Sequence, residues 1–428
     1  MTSHVARSMP ALTAALLGSL LAGCGADTGG GAADMAVVRD SAGITIVEFP
    51  LTDSAAAEWR EAEEILSIGT VEGPPAELLS RVTGAVRLDD GGIVIADGGS
   101  NEIRWFDADG QHTVSVGRSG AGPGEFRRVS RLARAAGDSV LAYDVANRRI
   151  TVLTPDGTVA RMVDVAVDGA APLDLLGVLR DGRWLVERTR YDRQDRPGEP
   201  LTQVRSTSLL LWDGHEPPQL VRTDVSDPQP VIVIDGVIMA EMPHPLAPPP
   251  VRIAAGDVWL DAWQHPAVLR IHGVDGASPE IGANGDDNPA AGNPAAGGEP
   301  QRIISMGARR VPFQDAHLEA WFDGAGYSTQ QRAAFRSTLD QLQAPEFLPT
   351  HGSVLGGRDG QVWVSDFPDP TTRAADWTVY SMGPDGGTAR WRVRLPPHFN
   401  ALSAGDGHIV GVLRDEWGVE TVRVYRLR

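Results

Sequence analysis

The sequence contains no lysine: all 38 basic residues are arginine. Without lysine there is no Schiff-base amine, which excludes pyridoxal-type catalysis. There is no phosphate-loop lysine either, which excludes an ordinary Walker ATPase. A genome rich in G and C also favours arginine, so codon usage accounts for this bias as well as chemistry does. Cysteine occurs once, at Cys24, so no intrachain disulfide and no CxxC site can form. Basic residues are outnumbered by 56 acidic ones, for a net charge of −18, and no basic face is left for nucleic acid. No GxSxG elbow occurs, so serine hydrolysis has no candidate. Beyond the N-terminus no apolar run reaches the length of a spanning helix.

The 428 residues include 49 glycines and 31 prolines, with 42% hydrophobic and 22% charged residues. That is a globular composition rich in turns, long enough for a large core.

Residues 1–23 carry His4 and Arg7 and then an apolar run from Ala11 to Gly23. The run is the length of a signal-peptide core and too short for a spanning helix. It ends Leu21-Ala22-Gly23-Cys24, which resembles the lipobox of bacterial lipoproteins. The resemblance implies cleavage before Cys24 and acylation of that residue with fatty acids such as palmitate. Several acyl chains anchor stably, because each buried CH₂ adds ~0.8 kcal/mol. The alternative is a buried core cysteine. Residues 24–42 read as a flexible tether, opened by a Gly- and Ala-rich stretch. Gly25, where some Gram-negative lipoproteins carry a retaining Asp, points to the outer rather than the inner membrane.

From residue 43 onward one pattern recurs: a turn residue, a variable residue, then three mainly apolar ones. It begins at Gly91, Asp138, Gly182, Gly256, Gly360 and Gly407, with spacings of 47, 44, 74, 104 and 47. A second mark, an apolar strand and then Asp-Gly, closes at Gly110, Gly157, Gly214, Gly276 and Gly386. Asp-Gly supplies the positive φ of a tight hairpin. Units of this length made of short Val-, Ile-, Leu- and Trp-rich strands are four-stranded antiparallel blades. Six anchors predict an all-β, six-bladed β-propeller over residues 43–428. The segment Ile65–Gly69 matches the outer strand Val114–Gly117, while the last blade has no outer strand after Tyr425. The N-terminal strand is therefore expected to complete the last blade and close the ring. The longest spacing holds an insertion, about 277–350, with the near-duplicates Asn288–Gly292 and Asn293–Gly297. These are expected to be disordered. Ser328 to Gln343 follows with a helical pattern, Ser328 as cap and Ala334, Phe335, Leu339 and Leu342 on one face.

Gly117, Gly120, Gly122, Pro123, Gly124 and Phe126 then form a GxxGxGPGxF-like connector. It resembles the connector of NHL-type propellers, most closely the six-bladed kind of envelope proteins. Ile95-Ala96-Asp97, Asn101-Glu102-Ile103 and Phe106-Asp107 belong to the same pattern. The resemblance implies a fold and an envelope location. It carries no single activity.

Several groups are candidates for chemistry. The Gly-rich connector can be read as a phosphate cradle, but it lacks a lysine and a following helix and suits a tight turn better. Asp97, Asp144 and Asp366 each stand six residues after an anchor. They are candidates for calcium or for capping their own turns. Arg127, Arg128, Arg131 and Arg134 can meet an anion or partner, or pair with surface acids. His265, His351, His398 and His408 lack a metal motif and would have to converge from separate blades to hold zinc. Trp184, Trp259 and Trp363 read as core. Trp263, Trp321 and Trp377 lie nearer loops and are candidates for a carbohydrate or peptide surface.

The resulting expectation is a monomeric, lipid-anchored envelope propeller that binds a protein, peptide or glycan, with no cofactor. The alternative is a metal-dependent lyase or lactonase with its site at the mouth of the channel.

Overall fold

The computed structural model is a six-bladed β-propeller. It describes residues 36–428 apart from segments 50–57, 166–170, 196–200, 235–236, 242–245, 275–298, 368–375 and 383–387 and the single residues 265, 309, 326, 341 and 343. Cys24, the signal region, His265 and the Asn288–Gly297 duplicates lie outside the described residues, as do the Asp-Gly marks at 275–276 and 385–386. Among the described residues no helix is long and apolar enough to cross a membrane.

The innermost strands of blades 1 to 6 are Val82–Arg87, Val129–Arg134, Leu173–Val178, Val251–Ala255, His351–Gly356 and Phe399–Gly405. Each leads through a tight turn to the second strand of its blade. The six anchors sit in those turns, all at positive φ, from +57° to +93°. That is why five of the six are glycine.

Both faces of each blade are buried, so successive residues of one strand serve different neighbours. In blade 1, Ile93 and Ile95 pack toward blade 6, while Val94 and Ala96 pack toward blade 2. A separate apolar cluster fills each of the six blade interfaces. Each fully buried large side chain contributes roughly 1.5–3 kcal/mol. Ring closure follows the expected route. Strand Ala62–Ile68 pairs antiparallel with Glu420–Leu427 and supplies the fourth strand of blade 6.

The chain leading to that strand is more ordered than a tether. Val37–Ser41 and Ile44–Glu48 form a hairpin whose second strand runs parallel to Arg302–Ser305 at the edge of blade 4. Glu58–Arg60 then runs parallel to the edge of blade 5. Residues 37–68 thus visit the outer edges of blades 4, 5 and 6 in turn. The strand set begins at Val37, six residues before the boundary read from sequence. All five residues Val37–Ser41 are exposed, so no buried alternation marks them as a strand.

Within the insertion there are two helices where one was expected, α1 (Asp315–Ala325) and α2 (Thr329–Leu339). Ser328 caps α2 through a reciprocal capping box with Gln331. Phe335 and Leu339 join Phe322 of α1 in their own apolar cluster.

Candidate functional site

In a four-stranded antiparallel blade, the second-to-third turn and the link to the next blade leave from one end. That end is the near mouth, at the heads of the innermost strands. The first-to-second turns sit at the far mouth. The two ends of the channel differ in chemistry.

The far mouth is closed by ion pairs. Arg134 pairs with Asp138 at 2.6 Å and with Asp89, and stands 3.8 Å from Asp406. The Arg358 guanidinium reaches from blade 5 to donate to the Ala135 carbonyl of blade 2, diametrically opposite, at 2.6 Å. Arg180 donates to the Arg358 carbonyl at 3.0 Å and pairs with Asp257 at 3.0 Å. The Asp406 N–H donates to Asp359 at 2.8 Å, and the Asp89 N–H to Asp138 at 3.0 Å. Burial pushes the Asp359 carboxyl above its ordinary range. Burial, aided by the Arg87 charge, holds the His408 imidazole below its own.

Above this girdle lies a cavity of about 140 Å³ on the ring axis. All six innermost strands contribute to its wall, with Val86, Leu176, Ile253, Val354 and Leu402 among the aliphatic lining residues. Small residues let the strands crowd together. A Cβ on Gly356 would stand 2.0 Å from the Ala254 carbonyl oxygen, so blades 4 and 5 meet there only because residue 356 has no side chain.

At the near mouth the strand heads are polar and accessible: Ser130, Asp174, Ser353 and Asn400 are exposed. Arg131 reaches into the cavity. It donates to the Leu176 carbonyl at 3.3 Å. Among the described residues no carboxylate pairs with it. Arg131 is exposed, and desolvation by the surrounding protein holds its pKa below the arginine range, against the opposing field of Asp174. The Asp174 carboxylate instead accepts the Tyr143 hydroxyl at 2.7 Å.

The arginine cluster is therefore divided. Arg127 and Arg128 are exposed, and their backbone N–H groups donate to Asp144 at 2.8 and 3.2 Å. Arg131 enters the cavity. Arg134 belongs to the far girdle. Asp144 also accepts the N–H groups of Ala146 and Asn147, and Asp97 those of Gly99 and Ser100, as turn caps do. Asp366 pairs with Arg392 and burial raises its carboxyl, while most of the turn after it lies outside the described residues.

The connector folds on itself with no helix behind it. Phe126 is fully buried. Glu125 accepts the Gly122 N–H at 2.7 Å and pairs with Arg118 at 2.7 Å. Arg149 donates to the carbonyls of Ala121, Gly122 and Glu125. The N–H and guanidinium donors that a phosphate would use are engaged by these groups.

The described candidate histidines do not converge, and His265 lies outside the described residues. His351 heads its strand at the near mouth, His408 lies at the far mouth, and His398 sits in a turn at φ +63°. Among the described residues no three His, Cys, Asp or Glu side chains gather as a metal set. The tryptophan surface is corrected as well. Trp377 is 3% exposed and packs in the core between blades 5 and 6. Trp321 packs on Phe322, Tyr327 and Phe335. Trp263 donates to Asp261 at 2.8 Å and lies under Arg270. Trp59 is 42% accessible and, among the described residues, the most exposed tryptophan is Trp417, 80% accessible, in the second-to-third turn of blade 6. Its signal in sequence was its place in the turn Asp415–Gly418, next to charged neighbours.

No protein-family model matches the chain, and no curated protein matches it. Solved structures do. One is an exported-protein candidate from Bacteroides fragilis, 12% identical, covering 90% of this chain and 99% of that one, with TM-score 0.49. Another is a member of the DUF4221 family from Bacteroides vulgatus, 8% identical, covering 86% and 98%, with TM-score 0.42. A third is virginiamycin B lyase from Staphylococcus aureus, 10% identical, covering 80% and 94%, with TM-score 0.35. Likeness at this level concerns the course of the backbone and not chemistry.

Proposed function

We propose that this chain is a monomeric, lipid-anchored propeller of NHL type in the bacterial envelope, and that it binds a protein, peptide or glycan partner through its near mouth. The lipobox-like Leu21–Cys24 supports the anchor, and the connector Gly117–Phe126 supports the type. Gly25 supports the outer membrane. Cys24 would carry the acyl chains, and the acidic net charge of −18 disfavours nucleic acid.

One observation carries the binding role. Among the described residues the large elaborations of the ring leave from the near mouth, whereas the 274–301 segment joins the third and fourth strands of blade 4 at the far end and lies mostly outside the described residues. Blade 3 extends its second and third strands to 11 residues each, Trp184–Gln194 and Thr202–Trp212. Strand Gln229–Ile234 adds to that extension and pairs with Val237–Glu241. Helix α2 lies beside this hairpin. The two helices sit in the link from blade 4 to blade 5, which also leaves at the near end. At the far end the first-to-second turns are short and stapled. Loops on a rigid scaffold are where recognition residues are usually placed. The metal-dependent lyase or lactonase reading would need a three-ligand set, which the described residues do not supply.

The test is photo-crosslinking in the native envelope. Benzoylphenylalanine replaces Trp417 at the near mouth or Asp181 at the far mouth. A discrete adduct from position 417 and none from 181 is expected. The reverse pattern would overturn the assignment.

A further inference from the structure

We propose that the channel cavity is a binding site for a small aliphatic monocarboxylate, received by the Arg131 guanidinium. The carboxylate belongs either to a free short-chain acid or to the C-terminus of a peptide ending in a small aliphatic residue. This deepens the near-mouth reading and rests on it.

Arg131 and Arg134 lie on the same strand, Val129–Arg134, and both line the cavity. Arg134 has Asp138 and Asp89 as ion-pair partners and Asp406 within 3.8 Å. Arg131 has one carbonyl contact, to Leu176 at 3.3 Å. A guanidinium carries five N–H donors. Arg131 is exposed, so most of these donors are open to an incoming acceptor. Asp174 is the nearest source of a counter-charge, but it does not reach ion-pair distance and it holds the Tyr143 hydroxyl. The position is thus complementary to an anion that arrives from outside.

The walls decide which anion. Below Arg131 the lining is Leu176, Ile253, Val354, Leu355 and Leu402, down to the Arg134–Asp406 girdle. Sulfate or phosphate would present charge in every direction and would bury part of it against these aliphatic groups. A monocarboxylate presents charge at one end only. Its two oxygens match the guanidinium fork, and its apolar end fills the aliphatic waist. The volume, about 140 Å³, suits a short chain and not a large one. The far mouth is spanned by Arg358, and entry is placed at the near mouth, where the strand heads are exposed. A peptide C-terminus fits the same way: its last side chain enters the waist, its carboxylate meets Arg131, and its chain leaves by the near mouth.

The experiment is calorimetric titration of the full chain in an uncharged detergent. Probes are acetate, propionate, butyrate, inorganic phosphate, propionamide, and Gly-Gly-Ala as free acid and as amide. Propionate, butyrate or the free-acid peptide is expected to bind, and phosphate and both amides to bind at least about tenfold more weakly. Arg131→Gln should weaken carboxylate binding about tenfold or more, the loss of a charge-assisted bond. Arg131→Lys should recover part of it, and Arg127→Gln and Arg128→Gln should leave it unchanged. Tighter binding of the peptide acid identifies a C-terminus as the source; tighter binding of butyrate identifies a free acid. Absence of carboxylate binding, equal binding of the amides or phosphate, or binding that survives Arg131→Gln would overturn the proposal. Because these probes need no protein partner, a near-mouth adduct at position 417 without carboxylate binding removes this site alone. Carboxylate binding without such an adduct removes the partner reading alone.

Discussion

Two arginines three residues apart on one strand show how the ends of the channel differ. Arg134 has a 13% exposed side chain inside a girdle of Asp89, Asp138 and Asp406. Arg131 faces the same cavity and has a single carbonyl. Sequence, strand and lumen are common to both. What differs is the mouth. At the far mouth the first-to-second turns are short, every blade brings one to the same place, and Arg134 is held among carboxylates. At the near mouth the links are long and spread apart, and a charge is left over. The difference teaches that burial of charge in this ring is a matter of turn length. Where turns converge, pairs form; where they diverge, a site is left.

The largest expected effect erases both mouths together. A chain that starts after Ile68 lacks the fourth strand of blade 6 and uncovers Val422 and Val424, both fully buried in the ring. It should lose cooperative thermal unfolding as followed by circular dichroism. A sharp transition near the parent's would show that ring closure is dispensable. Next is the near-mouth connector. Phe126 is fully buried against the cluster between blades 1 and 2, so Phe126→Ala should cost about 3–5 kcal/mol in urea denaturation. A cost under about 1 kcal/mol would mean the connector is held by its hydrogen bonds instead.

The far girdle comes third. Arg134→Leu removes the one cation shared by Asp89 and Asp138 and should cost about 2 kcal/mol, less than a fully buried pair because Asp89 is largely solvated. The pH dependence sharpens this. The hydrogen bond from Arg134 holds the Asp89 carboxyl below its ordinary range. A lowered carboxyl pKa contributes stability above the unfolded value, about 3.9, and loses it as pH falls through the folded value. Asp359 runs the opposite way, since burial raises its pKa and protonation relieves the penalty. Asp89→Asn should therefore lower the denaturation midpoint at pH 7 and leave it close to the parent's near pH 2. An equal loss at both pH values would contradict the ion-pair account.

Much of the ring was legible in the sequence because blade turns demand positive φ. That demand placed Gly or Asp at six anchors and kept the spacing near 47 in the unadorned blades. The closing strand was legible because Ile65–Ile68 repeats an outer-strand pattern. The capped helix at Ser328 was legible from its cap and its apolar face. The edge strands at Val37–Ser41 and Glu58–Arg60 were not, because they bury little and borrow their hydrogen bonds from blades 4 and 5. The division of Arg127, Arg128, Arg131 and Arg134 was not legible either. Which of them meets the lumen depends on where six strands converge, and local spacing does not encode that. Trp377 misled for the same reason: it sits near a loop in sequence but faces a neighbouring blade in the ring.

The measurement that bears most directly on the two mouths is a paired denaturation of Arg131→Leu and Arg134→Leu without added carboxylate. The account predicts unequal losses. Arg134→Leu loses about 2 kcal/mol, because it strands carboxylates. Arg131→Leu stays within about 0.5 kcal/mol of the parent, because Arg131 is exposed and holds a single carbonyl contact. Equal losses in the two variants would mean that Arg131 is a structural cation like its neighbour, and would contradict the account.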